Sequence, residues 1–312
     1  MSLRAAPACL AAALLIPAVL ACGTTEEPEP DGTTAEAEPA APPVVEVRTT
    51  DYAFHAPSEL RSGWTTFRMT NEGREPHFLV FWRLPEGRTF DEYAETVVDP
   101  FVTQLGRYKA GELTREQLYE EIGGALPEWL DLGAIGRGGP GFLSPGRTAE
   151  TTVELEPGTY VMECYMVNTE GKIHNDLGML RPLTVTAEST AAAPPEADVE
   201  LTLANYEIRT EGQLRPGENT VRVAVEERPE GLLGHDVHLA RLEDGTDMAK
   251  VAEWMDWVDG LTPPSPVEFL GGAEQVAPGE ASYLTVDLEP GRYAWISEGY
   301  AGRGMIEEFV VE

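Results

Sequence analysis

Short apolar stretches separated by polar turn residues run through most of the chain, and this pattern is typical of β-strands. In the first part of the chain these stretches are rich in β-branched and aromatic residues, and they alternate in polarity or end at Gly, Pro or Asn. The strands predicted in this way are 44–48, 64–70, 78–83, 148–155, 159–164 and 183–187. The sequence Leu-Glu-Pro-Gly at 155–158 predicts a tight turn that joins two of them as a hairpin.

Helical spacing interrupts the strand pattern in two places. Residues 90–109 and 114–122 have apolar positions at helical intervals, and Thr114 with Gln117 resembles a capping box at the start of the second segment. A shorter segment with similar spacing follows around 248–258. We therefore predict a mainly β protein with a helical insertion in its first half.

The chain repeats itself, because identical Tyr, His, Arg, Leu, Pro and Gly residues fall in register in three pairs of segments. The pairs are 52–63 with 206–217, 77–87 with 235–245, and 145–160 with 278–293. They predict two tandem domains, 44–187 and 199–312, joined by an Ala/Pro-rich linker at 188–198. Strands spaced in this way suggest that each domain is a Greek-key β-sandwich.

The first residues predict an exported protein with a lipid anchor. Arg4 supplies a positive charge, and the apolar segment after it is too short to span a bilayer permanently. The segment ends in Val-Leu-Ala-Cys-Gly at 19–23, which resembles the lipobox of bacterial lipoproteins. On this interpretation 1–21 is the signal peptide, Cys22 is lipidated, and 22–43 is a disordered tether at the periplasmic face or the cell surface.

The charge of the chain limits its partners. It has 54 acidic and 22 basic residues, and its formal net charge is −32 at pH 7. Nucleic acid and anionic lipid surfaces would repel such a protein, so neither is expected as a partner. Two interpretations of the acidity stay open, namely solubility alone and docking to a basic partner protein.

Cysteine usage points to a metal site. Two of the three cysteines lie in the predicted signal peptide or at the lipidation position, which leaves Cys164 as a lone thiol in an exported domain. Three other potential donors, His77, His174 and Met179, flank it in the sequence. Two imidazoles, a thiolate and a thioether are the donors of a blue-copper site, whereas zinc rarely takes Met.

The order of these donors resembles that of the cupredoxins, in which an early His follows an Asn-x-Gly turn and Cys, His and Met come near the end of the domain. The resemblance covers both repeats and implies Greek-key β-sandwiches, one type 1 copper and single-electron transfer to a redox partner protein rather than catalysis. The ligands that it implies are His77, Cys164, His174 and Met179. Two departures concern the copper environment: nine residues separate the Cys from the second His, and Phe78 stands where plastocyanins have Asn.

The second copy lacks the thiolate. Ser297 takes the place of the copper cysteine, and the following loop, 298–303, contains no His, although His235 and Met305 align with donors of the first copy. Without the thiolate no type 1 site is expected, so we predict a structural or docking module in which neither His235 nor His238 needs to bind a ligand.

Other functions stay open or are excluded to different degrees. A metal-free binding or scaffold module and a copper storage or delivery protein remain alternatives, because a fold alone does not give a function. A thiol enzyme with Cys164 as nucleophile is disfavoured, since no third orienting group is evident. A multicopper oxidase is excluded, because the chain has only five His and Glu163 stands where such enzymes commonly carry one. The Gly-x-Gly-x-x-Gly match at 136–141 contains Pro140 and precedes no helix, so we predict a loop there.

Overall fold

The computed structural model describes residues 40–228 and 230–312. The predicted signal peptide (1–21), the lipidation residue Cys22 and most of the predicted tether lie outside the described residues, so export and anchoring stay predictions. Within the described ranges, no helix is both long enough and apolar enough to cross a membrane.

Strands dominate the described part of the chain, and the predicted fold class is confirmed: mainly β, with tandem Greek-key sandwiches and a helical insertion in the first. The first half contains β1 (Val44–Thr50), β2 (Ala53–His55), β3 (Glu59–Asn71), β4 (Val80–Arg83), β5 (Thr148–Leu155), β6 (Gly158–Glu163) and β7 (Leu180–Ser189). The second half contains β8 (Val199–Ala204), β9 (Glu207–Glu211), β10 (Gly217–Val225), β11 (His235–Leu242), β12 (Glu268–Val276), β13 (Ala281–Leu288), β14 (Gly291–Ile296) and β15 (Ile306–Val311).

Eleven of these strands form one sheet, and the other four form a second. The larger sheet has the order β4-β6-β7-β3-β5-β13-β10-β8-β9, with β1 on β3 and β2 on β1, and the smaller has the order β12-β11-β14-β15. The long strand β3 joins two parts of the larger sheet. Its residues 59–62 pair with β7, and its residues 63–70 pair with β5. The change of partner falls at Gly63, whose φ of +100° is readily adopted only by glycine.

The turn at 155–158 does not close a hairpin, so this prediction is wrong. Strand β5 pairs with β3 and β13, whereas β6, which follows the turn, pairs with β4 and β7. The corresponding turn between β13 and β14 closes no hairpin either, because β13 pairs with β10 in the larger sheet and β14 pairs with β11 and β15 in the smaller one. A turn motif reverses the chain, but packing against distant residues decides which strand becomes the partner.

Helices occur where the helical spacing predicted them, and a few short ones are added. They are α1 (Phe90–Tyr93), which continues through a π-helical turn (Ala94–Val98) into α2 (Asp99–Lys109), then α3 (Arg115–Ala125), α4 (Leu132–Ile135), α5 (His174–Leu177) and α6 (Met248–Trp254). The capping box is confirmed, because the Gln117 main-chain N–H donates to Thr114 Oγ1 at 3.2 Å and the Thr114 N–H donates to Gln117 Oε1 at 2.9 Å.

The helical insertion packs against the loop that follows β6. Ile122 shares an apolar cluster with Val167 and Ile173 of this loop. Val258 of the second half belongs to the same cluster, and Arg115 pairs with Asp256 of the second half, with 2.6 Å between Nη2 and Oδ2. The insertion therefore contacts both this loop and the second half.

Residues 136–144, here called the junction segment, are extended and hydrogen-bonded on both sides, where we predicted a loop. The Leu79 N–H donates to the Pro140 carbonyl at 2.9 Å, and on the other side the Glu274 N–H donates to the Gly139 carbonyl at 2.9 Å. A Cβ on Gly139 would lie 2.0 Å from the Leu79 carbonyl oxygen, so only glycine allows this approach. The junction segment thus fills the space between the two halves with main chain.

The apolar cores cross the boundary between the halves as well. One core contains Phe81 and Tyr160 of the first half together with Phe269 and Ile296 of the second. The described residues, 40–228 and 230–312, accordingly form one compact unit. The predicted linker at 188–198 begins in the last two residues of β7 and ends directly before β8, and the bounds of the two domains stay a prediction.

Candidate metal centre

Three of the four predicted ligands meet in the interior of the first half. His77 Nδ1 lies 3.2 Å from His174 Nδ1, and Cys164 Sγ lies 3.7 Å from the same nitrogen. All three side chains are fully buried, and one donor atom of each lies within 4.8 Å of the others. Atoms that share a first-row ion at about 2.0–2.3 Å have such separations, so the group fits a metal.

Each of the three residues is held by its main chain. His77, just before β4, exchanges two main-chain hydrogen bonds with Leu143 of the junction segment, at 3.2 and 2.8 Å. Cys164 directly follows β6, and His174, the first residue of α5, donates its N–H to the Met166 carbonyl at 2.8 Å. The donors therefore sit on strand ends and on a loop tied back to itself.

Carboxylates hold the far side of both imidazoles. His77 Nε2 lies 3.0 Å from Asp51 Oδ1, and His174 Nε2 lies 3.0 Å from Glu75 Oε2. A proton on each Nε2 completes these hydrogen bonds and leaves both Nδ1 atoms with lone pairs that face each other and the thiol. Metal-binding histidines typically have such carboxylate partners, which fix the ring and its tautomer.

Burial keeps the imidazoles neutral. It lowers the pKa of His174 to about 3, with the neighbouring His77 adding to the shift, and it lowers the pKa of His77 despite the opposing effect of Asp51. Both rings are therefore in the neutral form that coordinates metals.

The carboxylates are themselves positioned by the turn that precedes the first His. The main-chain N–H of Arg74 donates to both oxygens of Asp51, at 3.1 and 3.0 Å, and the Tyr52 hydroxyl donates to Glu75 Oε2 at 3.1 Å. Asn71 closes this turn, because its Nδ2 donates to the Glu75 carbonyl at 2.8 Å. The Asn-x-Gly turn thus orients both imidazoles indirectly.

The thiol of Cys164 is free and accepts hydrogen bonds from the main-chain N–H groups of Phe78 and Met166. Phe78 thus provides its N–H although its side chain differs from the Asn of plastocyanins. Burial raises the pKa of this thiol well above its usual range, in spite of the two donors. A thiolate here needs a cation to compensate its charge.

Met179 is fully buried and lies close to the cysteine through its main chain. Its carbonyl accepts the Cys164 N–H at 3.1 Å, and its own N–H donates to the His174 carbonyl at 2.9 Å. Gly178 before it has a φ of +130°, and a Cβ there would lie 2.8 Å from the Tyr52 carbonyl oxygen. The role of its thioether as a fourth donor stays a prediction.

Glu163 is a buried acid that sequence reasoning assigned no structural role. Its carboxylate accepts hydrogen bonds from Trp82 Nε1 at 2.6 Å, the Tyr93 hydroxyl at 2.8 Å and Asn175 Nδ2 at 2.7 Å. Burial raises its pKa, and these three donors partly oppose the shift. The carboxylate connects β4, the helical insertion and the residue after His174, and an acid inside an apolar strand was its only sequence signal.

The second copy keeps the main-chain arrangement and lacks two of the four donors. The Ser297 N–H donates to the Met305 carbonyl at 3.1 Å, and Tyr300 lies against His235 with 5.4 Å between ring centroids. A hydroxyl and a phenol therefore stand where the first copy has a thiol and an imidazole. Nearby, His238 lies in a buried group with the carboxylates of Asp236 and Glu298, and the expectation that it needs no ligand stays a prediction.

A groove of about 1290 Å³ opens at the surface beside the site and includes Asp51 and Glu75 in its lining. Its charged lining comprises five carboxylates and two guanidinium groups: Asp51, Glu75, Glu243, Asp244 and Glu268, with Arg74 and Arg241. The groove is therefore predominantly acidic.

The fold and the site together define a mainly β protein with tandem sandwiches and a buried His-Cys-His group. No protein family model and no curated protein matches the chain. Among solved structures, auracyanin from Roseiflexus castenholzii is similar at 19% identity over 47% of this chain and 99% of its own, with a TM-score of 0.28. Auracyanin A, a "blue" copper protein from Chloroflexus aurantiacus, is similar at 17% identity over 47% of this chain and 100% of its own, with a TM-score of 0.29.

A multicopper oxidase structure is similar over a larger part of the chain. It covers 86% of this chain and 88% of its own, at 13% identity and a TM-score of 0.24. Identities and TM-scores this low define neither a family nor a function for the chain.

Proposed function

We propose that the chain is an exported, lipid-anchored electron carrier that binds one type 1 copper ion in its first half. The ligands would be the two imidazoles and the thiolate, with the thioether as the weak axial donor: His77, Cys164, His174 and Met179. The observation that carries the proposal is the convergence of two Nδ1 atoms and one Sγ in a fully buried group, while both Nε2 atoms are engaged by carboxylates.

The donor chemistry supports copper over other ions. Thiolate sulfur favours Cu(I), imidazole suits both oxidation states, and the bound ion would supply a one-electron couple. The chain itself orients both rings through Asp51 and Glu75, and it shields the thiolate from water by complete burial. Main-chain hydrogen bonds hold the donors in place, so the ligand positions would change little between two oxidation states.

The groove beside the site supports a basic redox partner. It contains the two carboxylates that hold the imidazoles, so a protein docked there would lie close to the ligand rings. Complementary charge would accelerate the encounter, and salt would slow it. Lipidation of Cys22 would keep carrier and partner at one membrane surface.

Copper reconstitution tests the proposal. The full-length protein and its Cys164→Ser variant would be titrated with Cu(II) and followed by visible absorption and electron paramagnetic resonance. We expect one equivalent of copper and an intense thiolate charge-transfer band that bleaches and returns through reduction and oxidation, and we expect the variant to lack the band.

Two results would contradict the proposal in different ways. Tight Cu(I) binding without a reversible couple would favour storage or delivery. A colourless protein that retains no copper would favour a metal-free binding module with a merely buried thiol.

A further inference from the structure

A group of buried ionisable side chains lies in the second half, where it meets the first. Asp236 and His238 are on β11, Glu274 is on β12, and Glu298 follows β14 by two residues. At most 1% of each residue is exposed. We call these four residues the carboxylate cluster.

His238 gives the cluster no positive charge. The Phe142 N–H donates to His238 Nδ1 at 3.1 Å, so this nitrogen is an acceptor and the ring hydrogen is on Nε2. Nε2 lies 3.4 Å from Asp236 Oδ1, and Glu274 Oε1 lies 3.9 Å from Nδ1. An imidazole with one acceptor nitrogen and one donor nitrogen is uncharged, so the carboxyl groups on its two sides lack a counter-charge from this ring.

Glu274 is the most isolated carboxyl group of the cluster. Both of its oxygens are buried without a hydrogen-bond partner among the described residues. No Lys or Arg in the described ranges forms an ion pair with any member of the cluster. A charged carboxylate is very costly to bury without donors or a counter-charge, and such a group takes up a proton instead.

Asp236 and Glu298 differ in the donors that they receive. Asp236 Oδ1 accepts from the Glu298 N–H at 2.6 Å and from the Ser297 hydroxyl at 3.1 Å. The Glu298 side chain accepts at Oε2 from the Tyr165 hydroxyl at 3.2 Å, and its Oε1 has no partner among the described residues. One donor atom each of Asp236, His238 and Glu298 lies within 4.8 Å of the others. Two carboxylates this close disfavour a second negative charge, and Glu298, with fewer donors, is the one that keeps a proton.

The pKa shifts of the two glutamates agree with this geometry. Burial raises the pKa of Glu274 and of Glu298 well above its usual range, and the charge of Asp236 adds to both shifts. The Gln275 N–H near Glu274 and the Tyr165 hydroxyl on Glu298 oppose the rise in pKa only in part. The titratable groups that face these two glutamates are Cys164, Tyr165, Asp236, His238, Asp256 and Tyr300.

We propose that the carboxylate cluster is a proton-binding site, in which Glu274 and Glu298 each hold a proton in the folded protein at neutral pH and release it on unfolding. The site lies on the contact between the halves, because the Tyr165 hydroxyl donates to Glu298 and accepts from Gln275 Nε2 at 3.1 Å. Loss of the protons places three carboxylates beside this contact, so alkaline conditions destabilise it. The inference goes beyond the proposed electron transfer and does not rest on it.

The direction of the pH effect follows from the number of bound protons. In the unfolded chain both carboxyl groups ionise above about pH 5, whereas in the folded protein they keep their protons. Folding therefore takes up two protons. For each of them the folding equilibrium constant falls about 10-fold per pH unit, until the group ionises in the folded protein as well.

Urea denaturation between about pH 5 and about pH 8 tests the proposal. The full-length wild type would be compared with Glu274→Gln, Glu298→Gln and the double variant, because Gln resembles a protonated Glu in shape but cannot ionise. We expect each single variant to match the wild type near pH 5 and to gain about 10-fold in the folding equilibrium constant, relative to the wild type, for each pH unit above it. The double variant should gain about 100-fold per pH unit.

The matched control is Glu120→Gln, which removes an exposed carboxylate and should keep the pH dependence of the wild type. No copper is added, and Cys164→Ser, which removes the thiolate of the first site, should also keep it. Failure of the copper site and failure of this site are therefore distinguishable. Gln variants that are less stable than the wild type at about pH 8, with an unchanged pH dependence, overturn the proposal.

Infrared spectroscopy of the wild type supplies a measurement that needs no variant. A protonated carboxyl group has a C=O stretching band that is separate from the carboxylate bands. We expect this band in the folded protein at about pH 7, and we expect it to weaken in each Gln variant. A folded wild type without the band at this pH would also refute the proton-binding site.

Discussion

The ends of strands β6 and β14 show how far two copies of one fold can diverge. The residue that directly follows each strand donates its main-chain N–H to a methionine carbonyl at 3.1 Å. Cys164 donates to Met179 in the first copy, and Ser297 donates to Met305 in the second. In the first copy nine residues then lead to an imidazole, whereas in the second only two residues lead to Tyr300. The main chain is the same at this point, and the donors are not.

This difference shows that the sandwich fold fixes where the main chain places a residue, and that the side chains at a few of these places determine the chemistry. In the first copy, soft donors meet, and carboxylates hold them from behind through the imidazole Nε2 atoms. In the second copy, the imidazole of His235 is left with two unpartnered nitrogens among the described residues, and the carboxylates themselves converge around His238. We therefore expect the soft-metal chemistry to reside in the first copy.

The largest expected effect comes from making the first copy resemble the second. His174→Tyr introduces the residue of the second copy, and it should abolish the thiolate charge-transfer band and weaken copper binding by more than about 100-fold, beyond the usual effect of losing an outer partner. Visible absorption and competition with a copper chelator would measure this.

The reciprocal change provides the control. Tyr300→His adds an imidazole beside His235 but no thiolate, so no second coloured site should form. A blue band in the His174→Tyr variant, or a second one in Tyr300→His, would show that the comparison assigns the donors wrongly.

The second prediction concerns the junction segment, whose main chain is hydrogen-bonded to both halves. Gly139→Ala places a Cβ 2.0 Å from the Leu79 carbonyl oxygen at a φ of +137°, and overpacking plus strain should lower the free energy of unfolding by about 4 kcal/mol. Gly106→Ala in α2, where a Cβ meets no atom within 4 Å, should instead add about 0.5–1 kcal/mol. Urea denaturation of both variants measures the contrast, and equal stabilities would refute the close contact.

The third prediction has the smallest expected effect and concerns Glu163, the buried acid directly before Cys164. Glu163 aligns with Ile296, so Glu163→Ile again copies the second half, and it leaves three buried donors unpaired. We expect a loss of about 3 kcal/mol in unfolding free energy, and of only about 1 kcal/mol for Glu163→Gln, which keeps an acceptor oxygen. Thermal and urea unfolding would measure both, and a Glu163→Ile variant as stable as the wild type would show that this network contributes nothing.

Much of the fold was predictable, because strand alternation and helical spacing are local properties of the sequence. The boundaries of β5 and the helical stretch 90–109 agree with the structure, and so does the capping box of Thr114. The meeting of His77, Cys164 and His174 was predictable as well, because a lone thiol in a chain predicted to be exported needs a reason and because the donor order is specific.

The remaining features depend on contacts between distant residues. The partners of β6 could not be deduced from a turn motif, and nothing local shows that the junction segment pairs on both sides. The buried carboxylates of the second half were hidden for another reason: in a chain with 54 acidic residues, Glu274 and Glu298 look like surface charges, and only burial distinguishes them.

The junction segment has a consequence for how such a chain evolves after duplication. The carbonyl of Gly139 and the N–H of Gly138 are hydrogen-bonded to β12. Deleting the second copy would leave these main-chain groups without their partners and would expose the junction segment of the first copy to solvent. A second copy without the thiolate is therefore retained because the first copy depends on it for these hydrogen bonds. Its other side chains can change as long as β12 keeps these main-chain contacts.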